Sequence, residues 1–219
     1  MIILAIDTSN EYLSLALEVD GVRFTSLDRV LNKQSHYIIE KINTLVIGAG
    51  IKLTKINLIA YVEGPGSFTG LRVGLSVALG IAYGINAKLV AIPSFAIYAR
   101  ASGVKTNILV GIDARLSQIY LAGIDPKTLD YFITPCVIDP DKIECGNDVT
   151  LIGNGFSVYK NLLPIQIKEL NYIEIDYPSA KFMLDVVELG KYPVIALNEA
   201  NLMYLRNKVA LSLIEQKQS

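Results

Sequence analysis

The chain has 219 residues, room for one large domain or two small ones, and 52% of them are hydrophobic against 19% charged. That is enough apolar material for a large core and for a further buried face. The formal net charge of −1, with no basic tail, argues against strong independent nucleic-acid binding. Cys136 and Cys145 form no Cys-x-x-Cys pair, so free thiols are expected rather than a redox or metal pair. The run Met1 to Asp7 lacks the basic segment of a signal peptide, and a cytoplasmic protein is expected.

Ile2 to Ile6 reads as a buried strand ending in the polar turn Asp7-Thr8-Ser9-Asn10. Leu13, Leu15 and Leu17 alternate with Ser14, Ala16 and Glu18, the period of a second strand. Asp20-Gly21 signals a hairpin, and residues 22–30 give the third strand. Ser35 is expected to cap a helix over 35–49, with Ile38, Ile42, Leu45, Val46 and Ala49 on helical spacing and Gly48 and Gly50 at its end.

Leu58 to Val62 has strand length, and Gly64-Pro65-Gly66 turns the chain sharply. From Ser67 to Gly84 the only charge is Arg72, and the length favours a helix capped by Ser67 or Thr69. Gly70, Gly74, Ala78 and Ala82 recur every four residues, which places them in one stripe. Each interior glycine costs about 1 kcal/mol against alanine, so packing must compensate. A stripe without side chains admits another backbone, which could belong to the protein's own sheet, its other helix or another chain. Arg72, the many glycines and the lack of flanking basic clusters argue against a membrane span.

Residues 86–92 give a short strand, and Pro93-Ser94 starts a helix to about Arg100. Ala101-Ser102-Gly103 is the best domain boundary, giving an N-terminal lobe of 1–103 and a smaller lobe of 104–219. Beyond it, strands at 108–112, 118–123 and 131–138 repeat the opening pattern, with Asp113 in the place of Asp7. The coarse repeat suggests duplicated halves. Three meandering strands followed by alternating helices and strands make a mixed α/β sheet of ribonuclease-H-like order. Further expectations are a strand at 149–152, a short helix after Gly153-Asn154-Gly155, a strand near 171–175 and a helix from Pro178 to Leu189. An irregular stretch, a terminal helix over 202–214 and a frayed tail follow.

Asp7-Thr8-Ser9 could orient a metal-bound water or a nucleotide phosphate, as in a kinase-like site, or form a turn that caps the strand. Gly64-Pro65-Gly66-Ser67 could hold a phosphate at a helix N-terminus, but it lacks the Lys-Ser/Thr ending of a P-loop. His36 is the only histidine, and Glu40 stands where an i, i+4 metal pair needs a second one, so no metal site is expected. A triad of His36, Ser67 and Asp113 has no support in the spacing. Asp113-Ala114-Arg115 reads either as a paired turn or as a surface for a partner or RNA. The twelve tyrosines do not cluster as a base-stacking platform.

The segment Gly64-Pro65-Gly66-Ser67-Phe68-Thr69-Gly70-Leu71-Arg72-Val73-Gly74 closely resembles the bacterial TsaB (YeaZ) family. Ile3-Leu4-Ala5-Ile6-Asp7-Thr8-Ser9, Gln34-Ser35-His36, Gly111-Ile112-Asp113-Ala114-Arg115 and Tyr204-Leu205-Arg206 extend the likeness over nearly the whole chain. The resemblance implies the actin-like ATPase (ASKHA) fold, an α/β architecture of two ribonuclease-H-like lobes with mixed sheets. It implies a non-catalytic subunit for threonylcarbamoyladenosine formation next to the tRNA anticodon. Such a subunit pairs with the transferase TsaD, helps recruit the ATPase TsaE, forms a homodimer when alone and reaches tRNA through the complex. TsaD carries a metal-binding His-x-x-x-His, whose counterpart here would be His36 with Glu40. The expected partner interface is Tyr37, Ile38, Lys41, Ile42, Leu45, Ser67, Phe68, Gly70, Leu71, Arg72, Gly74, Leu75 and Ala78. The resemblance implies no cofactor for the subunit's role; the alternative is an adenine nucleotide at Asp7, Thr8 and Ser9 in the lobe cleft, or at the complex interface. Gln118 stands where the family often has Glu, and the segment before Tyr204 lacks the family's usual prolines. An older endopeptidase label attached to the family finds no protease chemistry in these residues.

Overall fold

The computed structural model describes residues 1–31 and 33–206. The first half runs β1 (Ile2–Asp7), β2 (Tyr12–Val19), β3 (Val22–Arg29), α1 (Gln34–Gly48), β4 (Leu58–Gly64), α2 (Phe68–Ile85), β5 (Lys88–Pro93) and α3 (Ser94–Ser102). The second runs β6 (Ile108–Asp113), β7 (Ile119–Ile124), β8 (Tyr131–Ile138), β9 (Thr150–Ile152), α4 (Gly155–Val158), α5 (Ile165–Lys168), β10 (Tyr172–Ile173), α6 (Lys181–Glu188) and β11 (Val194–Ile195).

Two mixed sheets result, ordered β11-β5-β4-β1-β2-β3 and β10-β9-β6-β7-β8. In each, a central strand pairs antiparallel with the next strand and parallel with the fourth of its half. Asp7 ends one central strand and Asp113 the other, so the duplication expected from sequence is the duplication of the sheets. Asp20 and Gly21, at φ 49° and 83°, make the tight turn that joins β2 to β3.

Period-two alternation sorts the first sheet's side chains between two cores. Leu4, Ile6, Leu15 and Ile59 face α1 and α2, together with Ile38, Ile42, Ala78 and Ala82. Ile3, Ala5, Ala60 and Val90 face the other way, onto Phe95 and Ile97 of α3 and Met183 and Leu184 of α6. The second sheet's Ile108, Val110 and Ala122 reach the same layer, so α3 and α6 lie between the sheets. The outer face of the second sheet is covered by Phe156 of α4 and Ile167 of α5. The chain after residue 180 thus returns to the first sheet, where β11 pairs antiparallel with β5.

Three local expectations change. Ser35 lies inside the first turn of α1; the N-cap is Lys33, with no side-chain cap. β11 is two residues long, too short to leave a pattern in the sequence. The terminal helix expected over 202–214 does not begin: residues 201–206 lie in neither helix nor strand, and the remainder falls outside the described residues. Their partners come from β4 instead, with Met203 N donating to Glu63 O at 2.7 Å and Tyr61 Oη donating to Asn201 O at 3.0 Å.

Candidate partner face and inter-sheet cleft

Ser67 opens α2, its Oγ accepting from Gly70 N at 3.3 Å, and Asn86 closes it in the left-handed region at φ 58°. The stripe Gly70, Gly74, Ala78 and Ala82 is buried. A Cβ at Gly70 would overlap the carbonyl oxygen of Thr8, and one at Gly74 would lie 2.5 Å from Thr8 Oγ1. Thr8 Oγ1 donates to Gly70 O at 2.7 Å across this contact. The backbone that the stripe admits is therefore the end of the protein's own β1.

Burial sorts the residues of the expected interface into two groups. Ile38, Ile42, Gly70, Leu71, Gly74 and Ala78 are buried, with Ile38 at the floor of the groove between α1 and α2 and Leu71 at the edge of the cleft between the sheets. Tyr37, Phe68 and Arg72 are exposed, and Lys41, Leu45, Ser67 and Leu75 are half-buried. Lys41 already has a partner, its Nζ lying 2.6 Å from Asp28 Oδ1.

The sequence reading missed several residues on the outer side. Ile39 is 59% exposed, Ile47 66% and Tyr83 84%. On α2 the outward line runs Phe68, Arg72, Ser76, Leu79 and Tyr83, at helical spacing. Apolar residues surround α2 on nearly every side, so periodicity could not separate its two faces; the small-residue stripe was the usable signal, and it marks the inner one. By length and composition α2 could cross a membrane, but its inner stripe is packed on the first sheet. Between α1 and α2 lies a groove of about 410 Å³ walled by Ile39, Phe68, Val73 and Val77, with Arg72 its one charged lining residue among the described residues.

A larger cleft of about 660 Å³ opens between the sheets. Of the three residues proposed for a nucleotide, Ser9 lines it, whereas Asp7 and Thr8 are buried. Asp7 Oδ1 accepts from Ser9 N at 2.8 Å and from Ser9 Oγ at 2.7 Å, which is a strand-capping turn. Burial pushes the Asp7 carboxyl above its ordinary range, and the two Ser9 bonds only partly offset this. Ser67 N donates to Ser9 O at 2.7 Å, so this N–H of the glycine-rich turn is taken by the chain itself.

Across the cleft, Asp113 Oδ1 accepts from Tyr159 Oη at 2.7 Å and from Arg115 N at 2.8 Å, and Arg115 Nη1 lies 3.1 Å from Asp113 Oδ2. The paired turn is thus formed. Gln118 is integrated into it: its Oε1 accepts from Arg206 Nη2 at 2.7 Å and its Nε2 donates to Asp139 at 3.0 Å. The segment 201–206 therefore spans from β4 and α2 to the second sheet. His36 is exposed in the first turn of α1, 3.5 Å from Ser35 Oγ. His36, Ser67 and Asp113 hydrogen-bond to other groups and not to one another. Among the described residues no three His, Cys, Asp or Glu side chains gather as a metal site.

Comparison with known proteins gives a consistent answer. The family model of TsaD, tRNA N6-adenosine threonylcarbamoyltransferase, matches residues 30–210. The tRNA threonylcarbamoyladenosine biosynthesis protein TsaB of Escherichia coli is 28% identical over 231 residues, covering 100% of both chains. TsaB of Haemophilus influenzae is 28% identical over 226 residues, covering 94% of each. A structure of YeaZ from Pseudomonas aeruginosa superposes with a TM-score of 0.83 at 23% identity, over 93% of this chain and 99% of the other. Another from that organism, described as similar to peptidase YeaZ, gives 0.84 at 23% identity, over 94% and 99%. At that identity the two structures speak for the fold. The chain belongs to the TsaD-related family and, within it, to the TsaB (YeaZ) proteins, with the actin-like fold of two ribonuclease-H-like lobes.

Proposed function

We propose that this protein is a non-catalytic subunit of the machinery that makes N6-threonylcarbamoyladenosine in tRNA. It pairs with a TsaD-type transferase through the outer face of α1 and α2 and helps recruit a TsaE-type ATPase. It works in the cytoplasm and meets tRNA through the complex. The observation that carries this reading is the exposed apolar surface of Tyr37, Ile39, Ile47, Phe68 and Tyr83, concentrated on two adjacent helices. The names of the full-length relatives supply the pathway. Free in solution, the same face is expected to self-associate. The lobe division at 103/104 belongs to the same proposal, with the docking helices in the N-terminal lobe.

The test is reconstitution of tRNA threonylcarbamoylation from the transferase, the ATPase and the adenylate-forming enzyme, with and without this protein. Product that depends on its presence supports the reading; full product without it contradicts it. The rival is a nucleotide-dependent enzyme using the inter-sheet cleft. Calorimetry with Mg-ATP on the isolated protein addresses it: micromolar binding lost in Ser9→Ala would favour the rival.

A further inference from the structure

Arg72 differs from three other arginines of the chain. Arg23 holds Glu18, Asp185 and Glu188, Arg29 holds Glu11, and Arg115 holds Asp113. Arg72 meets no carboxylate among the described residues, yet its guanidinium is held on two sides. It lies 3.7 Å from the centroid of the Phe68 ring, and its Nε donates to Tyr204 Oη at 3.3 Å. Tyr204 in turn packs its ring 6.0 Å from that of Phe68. Tyr204 belongs to the segment anchored to β4 through Met203 N and Asn201. A guanidinium has five N–H donors, and only the Nε one is used here; the terminal nitrogens keep the fork that matches a carboxylate.

We infer that Arg72 is a specificity-determining residue of the docking face, taking a carboxylate of the transferase subunit, and that Tyr204 is its positioning residue. The inference rests on the pairing proposed above and names the chemistry of the partner: an aliphatic side chain for the groove, flanked by an Asp or Glu. Charge complementarity selects that occupant, because among the described residues Arg72 is the one charge lining an otherwise apolar and hydroxyl-bearing groove. Once docked, the ion pair is withdrawn from water and two-pronged, the geometry in which Arg and carboxylate bind best. Tyr204 restricts the rotamers of a long side chain before the partner arrives, so less entropy is lost on binding.

The experiment is calorimetric titration of the transferase subunit into the wild type, Arg72→Gln, Arg72→Lys, Tyr204→Phe and the Arg72→Gln/Tyr204→Phe double variant. Thermal melts serve as the folding control. Arg72→Gln should weaken binding by about 30-fold. Arg72→Lys should recover only part of that, since lysine lacks the fork. Tyr204→Phe keeps the ring and loses the hydroxyl; it should weaken the wild type about threefold and leave the Arg72→Gln variant unchanged. Arg72→Glu should be rescued by a Lys in place of one carboxylate on the transferase. Equal affinities of wild type and Arg72→Gln would overturn the inference while leaving the pairing intact. Wild type that does not bind the transferase at all overturns the pairing and the inference with it. An Arg72→Glu defect confined to self-association, and repaired by Glu40→Lys in this chain, would assign the carboxylate to a second copy and likewise overturn it.

Discussion

The two faces of α2 differ in side-chain size and in what they meet. The inner face is Gly70, Gly74, Ala78 and Ala82, closed on the end of β1 so tightly that Thr8 hydrogen-bonds to the helix backbone. The outer face is Phe68, Arg72, Ser76, Leu79 and Tyr83, with Tyr83 84% exposed. Small residues mark where backbones meet within the fold; on the reading proposed above, the large apolar ones left in water are where a second chain fits. On that reading the partner meets the outer face, and the small residues serve the fold.

The largest effect should come from breaking the inner face. In Gly70→Ala the new methyl collides with the Thr8 carbonyl, and both atoms involved sit on constrained backbone. Overpacking of this kind costs about 3 kcal/mol or more, exceeding the roughly 1 kcal/mol that alanine gains by helix propensity. Chemical denaturation measures it, and a variant as stable as the wild type would contradict the internal reading of the stripe.

Asp7 sharpens the comparison, because it sits in the turn on which the inner face rests. Its carboxyl is raised above the ordinary 3.8 by burial, so the fold prefers the protonated form. Its contribution to stability is complete below pH 3.8 and is lost as pH rises through the folded-state value. Asp7→Asn keeps an acceptor for Ser9 N–H and removes the buried charge. Unfolding free energies of the two proteins measured from acid to neutral pH should diverge in favour of the variant; parallel curves would mean that Asp7 is solvated.

The smallest effect should come from Gly80→Ala. Among the described residues nothing lies within 4 Å of a Cβ at Gly80, so the substitution should raise stability by about 0.5–1 kcal/mol. A loss in the same denaturation series would mean that this part of the helix is packed as closely as its inner face.

The sequence carried the architecture well because its signals are local. Leu13, Leu15 and Leu17 alternate, Asp20-Gly21 permits a tight hairpin, and Asp7 and Asp113 end equivalent central strands. Ser67 was legible as a cap because its hydroxyl serves a donor three residues away. What was not legible depends on contacts distant in sequence. The extended path of 201–206 is set by hydrogen bonds to Glu63 and Tyr61, about which Leu202 and Leu205 say nothing. The glycine stripe announced a close approach but not to which backbone, since Thr8 lies sixty-two residues from Gly70. Ile39 and Val73 form a groove only because α1 and α2 are adjacent in space.

The central claim is that the outer face of α1 and α2, and not the glycine stripe, receives the transferase. Titrating the transferase subunit into wild type and Ile39→Asp tests it most directly. Ile39 is 59% exposed and outside both cores, so the variant should melt like the wild type. The account predicts that its affinity falls by about 30-fold, the cost of about 2 kcal/mol typical of a central interface anchor. A folded Ile39→Asp protein that binds the transferase as tightly as the wild type would contradict it.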